Sequence, residues 1–130
     1  MTALLGGLAF QLPKNAAVHA CSYPLSSKYH LPHGVACAMT LDHFVRFNSE
    51  EMGDRGIALA RAAGLNDMSA LADAIADLKS RSGLVTTLRE AGVSEQDLDG
   101  LVQASFHPVM NNNPRQVSAE DLKQLYLQML

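Results

Sequence analysis

The sequence predicts an all-α protein, a compact bundle of seven or eight short helices forming one domain. Hydrophobic residues make up 48% of the 130-residue chain, but aromatics only 5% and tryptophan none, so small and medium side chains must fill the core. Apolar positions recur at spacings of three and four, and no stretch alternates with period two for long enough to argue a strand. Cap and stop residues punctuate the chain at helical intervals. A chain of this length makes one domain that buries about two thirds of its unfolded surface.

The first segment, Met1 to Phe10, enters apolar sequence at once with no cap and no polar lead, like the interior of a helix whose start lies upstream. It runs to about Gln11, and Leu12-Pro13 closes it, because proline disfavours helix in the residue before it. A second helix starts near Lys14 and is Ala-rich to about Cys21. Pro24 lacks a backbone donor and ends or kinks this helix, which places His19 near its last turn. Leu31-Pro32-His33-Gly34 is a turn that feeds a third helix, Val35 to Phe47, with Val35, Ala38, Met39, Phe44 and Val45 along its apolar stripe.

Asn48-Ser49-Glu50-Glu51 supplies cap residues and first-turn acids for a fourth helix, which carries Ile57, Leu59 and Ala60 and closes at Gly64. The next runs from about Met68 to Ser82 with Leu71, Ile75 and Leu78 at spacings of four and three. A short helix is expected from Leu84 to Ala91, stopping at Gly92. Ser94, with Asp97 three residues on, starts Glu95 to Phe106 with Leu98, Leu101 and Val102 inward, and Pro108 halts it. Ser118 and Asp121 repeat that start for a last helix with Leu122, Leu125, Tyr126 and Met129 on one face.

Composition excludes several functions. Ten Lys and Arg against thirteen Asp and Glu give a net charge of −3 and no basic stripe to follow a phosphate backbone, so nucleic acid is not an expected partner. The N-terminal apolar run lacks the basic lead of a signal sequence and is shorter than the roughly twenty residues of a membrane span, so no targeting segment or membrane partner is expected. Cys21 and Cys37 sit in apolar surroundings beside the histidines. They read as packed thiols rather than a disulfide or soft metal ligands, which suits a reducing cytoplasm. No glycine fingerprint after a strand, Walker loop or paired-cysteine zinc motif occurs.

The stretch His19-Ala20-Cys21-Ser22-Tyr23-Pro24-Leu25 followed by Pro32-His33-Gly34 is where chemistry is expected. It holds two histidines fourteen residues apart in an uncharged neighbourhood. Neutral imidazole is the commonest protein ligand for a transition metal, and such a pair supplies half of a four-coordinate shell. Read from the residues alone, satisfied structural histidines remain the competing account. His30 in a connecting loop, His43 on the outer face of the third helix and His107 at a helix end, where a cation suits the dipole, receive no functional role. Asn111-Asn112-Asn113-Pro114-Arg115 reads as a turn with a structural arginine, since asparagine tolerates left-handed backbone.

His19-Ala20-x-x-Tyr23-Pro24-Leu25, Pro32-His33-Gly34-Val35-Ala36 and Phe47-Asn48 resemble the metal-binding region of the iron-containing (group III) alcohol dehydrogenase family. Leu88-Arg89-Glu90-Ala91-Gly92-Val93 and Asn113-Pro114-Arg115 before a final amphipathic helix resemble the end of the same family. The resemblance implies a dehydroquinate synthase-like helical domain and an NAD(P)-dependent oxidoreductase interconverting an aldehyde or ketone and an alcohol. It implies a divalent iron or zinc ion that polarises the substrate oxygen, with His19 and His33 on two of four ligand positions. The other two, an Asp and a His from an earlier helix, and the N-terminal dinucleotide-binding domain have no counterpart expected in residues 1–130, which would be about a third of a full-length member. At Tyr23 many members carry a further His near the nicotinamide. Tyr there resembles the short members acting on phosphonoacetaldehyde or maleylacetate and implies a catalytic-site hydroxyl, against the alternative of a tyrosine packed at a helix break.

Two functional readings follow. The chain is the metal-binding C-terminal portion of such an enzyme, holding metal weakly and inactive alone, or it is a folded remnant that self-associates through bare apolar segments such as Leu4 to Phe10. A homo-oligomer is expected.

Overall fold

The computed structural model describes residues 2–11 and 14–130, and within them every regular element is helical. Seven α-helices occur in order: α1 (Thr2–Phe10), α2 (Ala17–Tyr29), α3 (His33–Phe47), α4 (Ser49–Ala62), α5 (Met68–Arg81), α6 (Leu98–Ser105) and α7 (Ala119–Gln128). Single 3-10 turns, Glu95–Asp97 and Pro108–Asn112, precede α6 and follow it. The all-α expectation is met. None of these helices is long and apolar enough to cross a membrane.

The α2–α3 hairpin is the centre of the bundle. α5 packs on α3, α6 packs on α2 and on α7, and α4 pairs with α5. Leu25, Met39, Phe44, Leu88, Leu98, Leu101, Leu122 and Tyr126 are sealed from solvent at the junction. Truncating one such leucine to alanine typically costs about 2–5 kcal/mol. α4 approaches α5 closely because Gly56 has no side chain: a Cβ there would lie 3.0 Å from Met52 and from Met68.

The capping signals act as their sequence indicates. The Asp67 carboxylate accepts from the Ala70 amide at 2.8 Å and starts α5. Ser94 with Asp97, and Ser118 with Asp121, form reciprocal capping boxes ahead of α6 and at α7. The hairpin turns at His30, which caps α2 in the left-handed region at φ 57°.

Several expectations are corrected. α2 begins at Ala17 rather than Lys14 and continues through Pro24 to Tyr29, so His19 lies in its first turn and not its last. Proline keeps helical φ and forfeits one hydrogen bond, and burial of Ala17, Ala20, Cys21 and Leu25 on the same helix outweighs that loss. Leu12-Pro13, which the sequence reading made the end of the first segment, lie outside the described residues. The stretch Leu84 to Ala91 is no helix. There the Glu90 carboxylate accepts from the amides of Thr86 and Thr87, and the Leu88 amide donates to the Met129 carbonyl at 2.7 Å, pinning an extended-then-turned segment to the end of α7.

Leu78 is outward, 62% exposed, because α5 turns its other side to α3. The asparagine tract holds a 3-10 turn, not left-handed backbone. Its last residue is buried in a reciprocal amide pair: Asn48 Nδ2 donates to Asn113 Oδ1 at 3.2 Å, and Asn113 Nδ2 donates to Asn48 Oδ1 at 2.7 Å. Arg115 is structural as expected, with its guanidinium 4.1 Å from the Phe47 ring centre.

Candidate metal centre

His19 in the first turn of α2 and His33 in the first turn of α3 are brought together across the α2–α3 contact. The His19 and His33 rings are 5.3 Å apart between centres, tilted by 53°. His33 opens α3 because Pro32, at φ −54°, sets the chain's entry into that helix.

Ser22 fixes which nitrogen of His33 is free. Its hydroxyl is fully buried and contacts both the His19 carbonyl at 2.7 Å and His33 Nδ1 at 3.3 Å. A carbonyl only accepts, so the single hydroxyl proton goes to His19 O. Ser22 Oγ therefore accepts from Nδ1–H of His33, which in the neutral ring puts the lone pair on Nε2. A metal-ligating histidine is usually held in one tautomer by an acceptor behind its other nitrogen, most often a carboxylate, backbone carbonyl or water, and here the Ser22 hydroxyl stands in that place. His19 is pushed below the usual imidazole range, first by burial and then by the nearby His33, which favours its neutral, metal-ligating form.

A third group stands with the pair. Cys37 lies one turn beyond His33 on α3, and its Sγ is 3.6 Å from His33 Nε2. One ligand atom each from His19, His33 and Cys37 can be chosen within 4.8 Å of one another. Sequence reasoning placed both cysteines in the core. That holds for Cys21, which is sealed, its thiol pushed up to about 12 mainly by burial, whereas Cys37 is only half-buried. The signal that would have found it is the His-x-x-x-Cys spacing, which puts both side chains on one helical face.

Tyr23 is half-buried one turn after His19 on the same face of α2. Asn15 Nδ2 donates to its hydroxyl at 3.2 Å, and its ring meets His107 edge-on at 5.1 Å. His107 lies just past the end of α6 and before Pro108, as expected, and its Nδ1 accepts from the Val109 amide at 3.4 Å. His43 is half-buried beside Asp42 rather than on the outer face of α3. His30 lies in the connecting turn as expected. The chemistry of the donor set, two facing imidazoles, one of them oriented by Ser22, fits two ligand positions for a divalent transition metal. Among the described residues, no strand and glycine loop offers a dinucleotide site.

Comparison with known proteins gives the setting of this centre. The profile of the Fe-containing alcohol dehydrogenase family, C-terminal, matches residues 1–130. Lactaldehyde reductase of Escherichia coli is 31% identical over 131 residues, covering 94% of this chain and 34% of that enzyme. A sulfoacetaldehyde reductase from Bifidobacterium kashiwanohense, solved in complex with NAD+, superposes with a TM-score of 0.89 at 42% identity over 95% of this chain and 33% of its own. A 1,3-propanediol oxidoreductase structure gives a TM-score of 0.86 at 28% identity over 98% of this chain and 36% of its own. The chain thus spans about a third of the length of the relatives it matches. Matched along its whole length by the family profile, and in its helical fold by these solved structures, the chain belongs to the iron-containing alcohol dehydrogenase family, of which it represents the C-terminal region.

Proposed function

We propose that these 130 residues are the metal-binding helical domain of an NAD(P)-linked oxidoreductase that interconverts a small aldehyde and its alcohol, with His19 and His33 as two of the protein ligands of a divalent iron or zinc ion. The observation that supports this most is the facing pair of imidazoles, 5.3 Å apart, with the His33 tautomer set by Ser22. An ion bound there would act as a Lewis acid on the substrate oxygen while hydride passes to or from the nicotinamide. The dinucleotide domain and two further ligands, an Asp and a His, belong to the rest of the parent enzyme in this reading. The NAD+ complex of the sulfoacetaldehyde reductase supports the nicotinamide, and the names of the relatives support short polar carbonyl substrates.

Tyr23 is the catalytic-site hydroxyl in this reading. Because Asn15 donates to it, the hydroxyl keeps its own proton to give to a substrate or cofactor oxygen. Free thiols at Cys21 and Cys37 suit a reducing cytoplasm.

The test uses the purified chain. Zinc titration followed by calorimetry is expected to show one site that is lost in both His19→Ala and His33→Ala, and unchanged affinity in both variants would overturn the ligand assignment. The chain alone is expected to reduce no lactaldehyde or sulfoacetaldehyde with NADH or NADPH, and turnover would overturn its reading as part of a larger active unit. A second reading, self-association, is supported by α1, where Leu4, Leu5 and Leu8 are 64%, 58% and 56% exposed. Light scattering that shows a clean monomer would refute it.

A further inference from the structure

We propose that Cys37 is a third protein ligand, so that this hairpin alone offers a two-histidine, one-thiolate site to a thiophilic divalent ion of the zinc type. This rests on the reading of His19 and His33 as ligands and adds a donor to it.

The geometry argues for it on three counts. In a tetrahedral zinc site with Zn–N about 2.05 Å and Zn–S about 2.3 Å, the nitrogen and sulfur donors stand about 3.6 Å apart. His33 Nε2 and Cys37 Sγ already stand 3.6 Å apart. One ring nitrogen of each histidine and Cys37 Sγ lie within 4.8 Å of one another, at most about 1.5 Å beyond a tetrahedral edge, which rotation of the partly exposed imidazoles about χ2 would close.

Helix geometry is the second count. His33 and Cys37 are one turn apart, so α3 holds them on one face regardless of the rest of the chain, and the Ser22 contact leaves the His33 lone pair on the Cys37 side. The third is the contrast between the cysteines. Cys21 is sealed among Ser105, Tyr126 and the core, where no ion reaches it, whereas Cys37 stands half-open at the mouth of the histidine pair.

Coordination balances simply. The Sγ–H bond breaks, the proton passes to solvent, and the sulfur lone pair forms the bond to the ion, with no change of oxidation state. A thiolate softens the set and favours zinc, cobalt or cadmium over magnesium or manganese. In a four-coordinate shell formed by this chain alone, one position is left for water.

The test loads the purified, reduced chain with cobalt(II). The expected spectrum has visible ligand-field bands and a near-ultraviolet sulfur-to-cobalt charge-transfer band. Cys37→Ser is expected to keep the visible bands, lose the charge-transfer band and bind zinc about a hundredfold more weakly, whereas Cys21→Ser keeps both features. Visible bands without charge transfer in the unmodified chain would overturn the thiolate ligand while leaving the histidine reading intact. Absence of any cobalt spectrum would overturn both. Should Cys37→Ser fail to fold, the unmodified chain still decides: zinc is expected to protect Cys37 from alkylation by iodoacetamide, mapped by mass spectrometry, and undiminished labelling under saturating zinc would overturn the proposal.

Discussion

Replacing Lys79 by methionine tests what fastens the site-bearing helix to the bundle. Lys79 on α5 reaches across to α3, where its Nζ donates to the Asp42 carboxylate and to the Met39 carbonyl at 3.0 Å. The two charged side chains are only 7% and 8% exposed. Lys79→Met keeps the volume of the aliphatic stem and leaves a carboxylate in a dry interface, a loss of about 3–5 kcal/mol when one partner of a buried pair is removed. His43 Nε2, 3.8 Å from the other Asp42 oxygen, offers little relief at neutral pH, because burial holds that ring toward its neutral form. For a domain of this size the loss corresponds to a fall of roughly 10–20 °C in Tm.

The assay is thermal unfolding followed by far-ultraviolet circular dichroism, with Asp42→Asn combined with Lys79→Met as the control. With no charge left to strand, the double variant is expected to recover most of the stability, giving a coupling well above the ~0.5 kcal/mol scatter of independent sites. A single variant that melts within a degree or two of the parent, or a double variant no more stable than the single, would refute the assignment of this pair as a buried, mutually dependent fastening.

Three further outcomes follow from named groups. His43 is pushed below the usual imidazole range, chiefly by burial; Lys79 and Arg46 add to the effect, while Asp42 and Gln128 oppose it. A base that is easier to protonate in the unfolded chain gives stability that is complete above about pH 6.5 and is lost as pH falls below that value through its lower folded pKa. The urea midpoint should therefore drop between neutral and mildly acidic pH, and by less in His43→Gln; identical slopes would show that another group governs the decline.

Ellman's reagent should titrate one thiol, Cys37, in the native chain and a second only in denaturant, because Cys21 is sealed with its thiol raised to about 12. Asn113→Ala leaves the buried Asn48 amide without its partner and frees the Arg115 carbonyl, so it should cost about 2 kcal/mol by urea unfolding, more than a surface Asn112→Ala.

Much of this was legible in the residues. Caps act through neighbours three residues away, so Ser94 with Asp97 and Ser118 with Asp121 announced their helices without any tertiary information. His19 and His33 were legible as candidates from their spacing and flanking motifs, but neither their convergence nor their placement was: Pro24 argued for a break, and burial of the same helix's Ala20, Cys21 and Leu25 overrode it. Leu84 to Ala91 failed in the opposite sense, because its backbone groups are satisfied by Glu90 and by the end of α7, partners that local periodicity does not contain. Cys37 was hidden by composition, since an apolar neighbourhood in sequence says nothing about which side of α3 reaches solvent.

The three proposed donors fall within nineteen consecutive residues of one helical hairpin, with its turn at His30. Closing so short a loop costs little chain entropy, and such local contacts form early in folding. During synthesis this hairpin leaves the ribosome before Lys79, Asn113 and Tyr126 exist to pack against it. An ion captured at that stage would set the rotation of α2 against α3 first, and the later helices would assemble on a template already fixed.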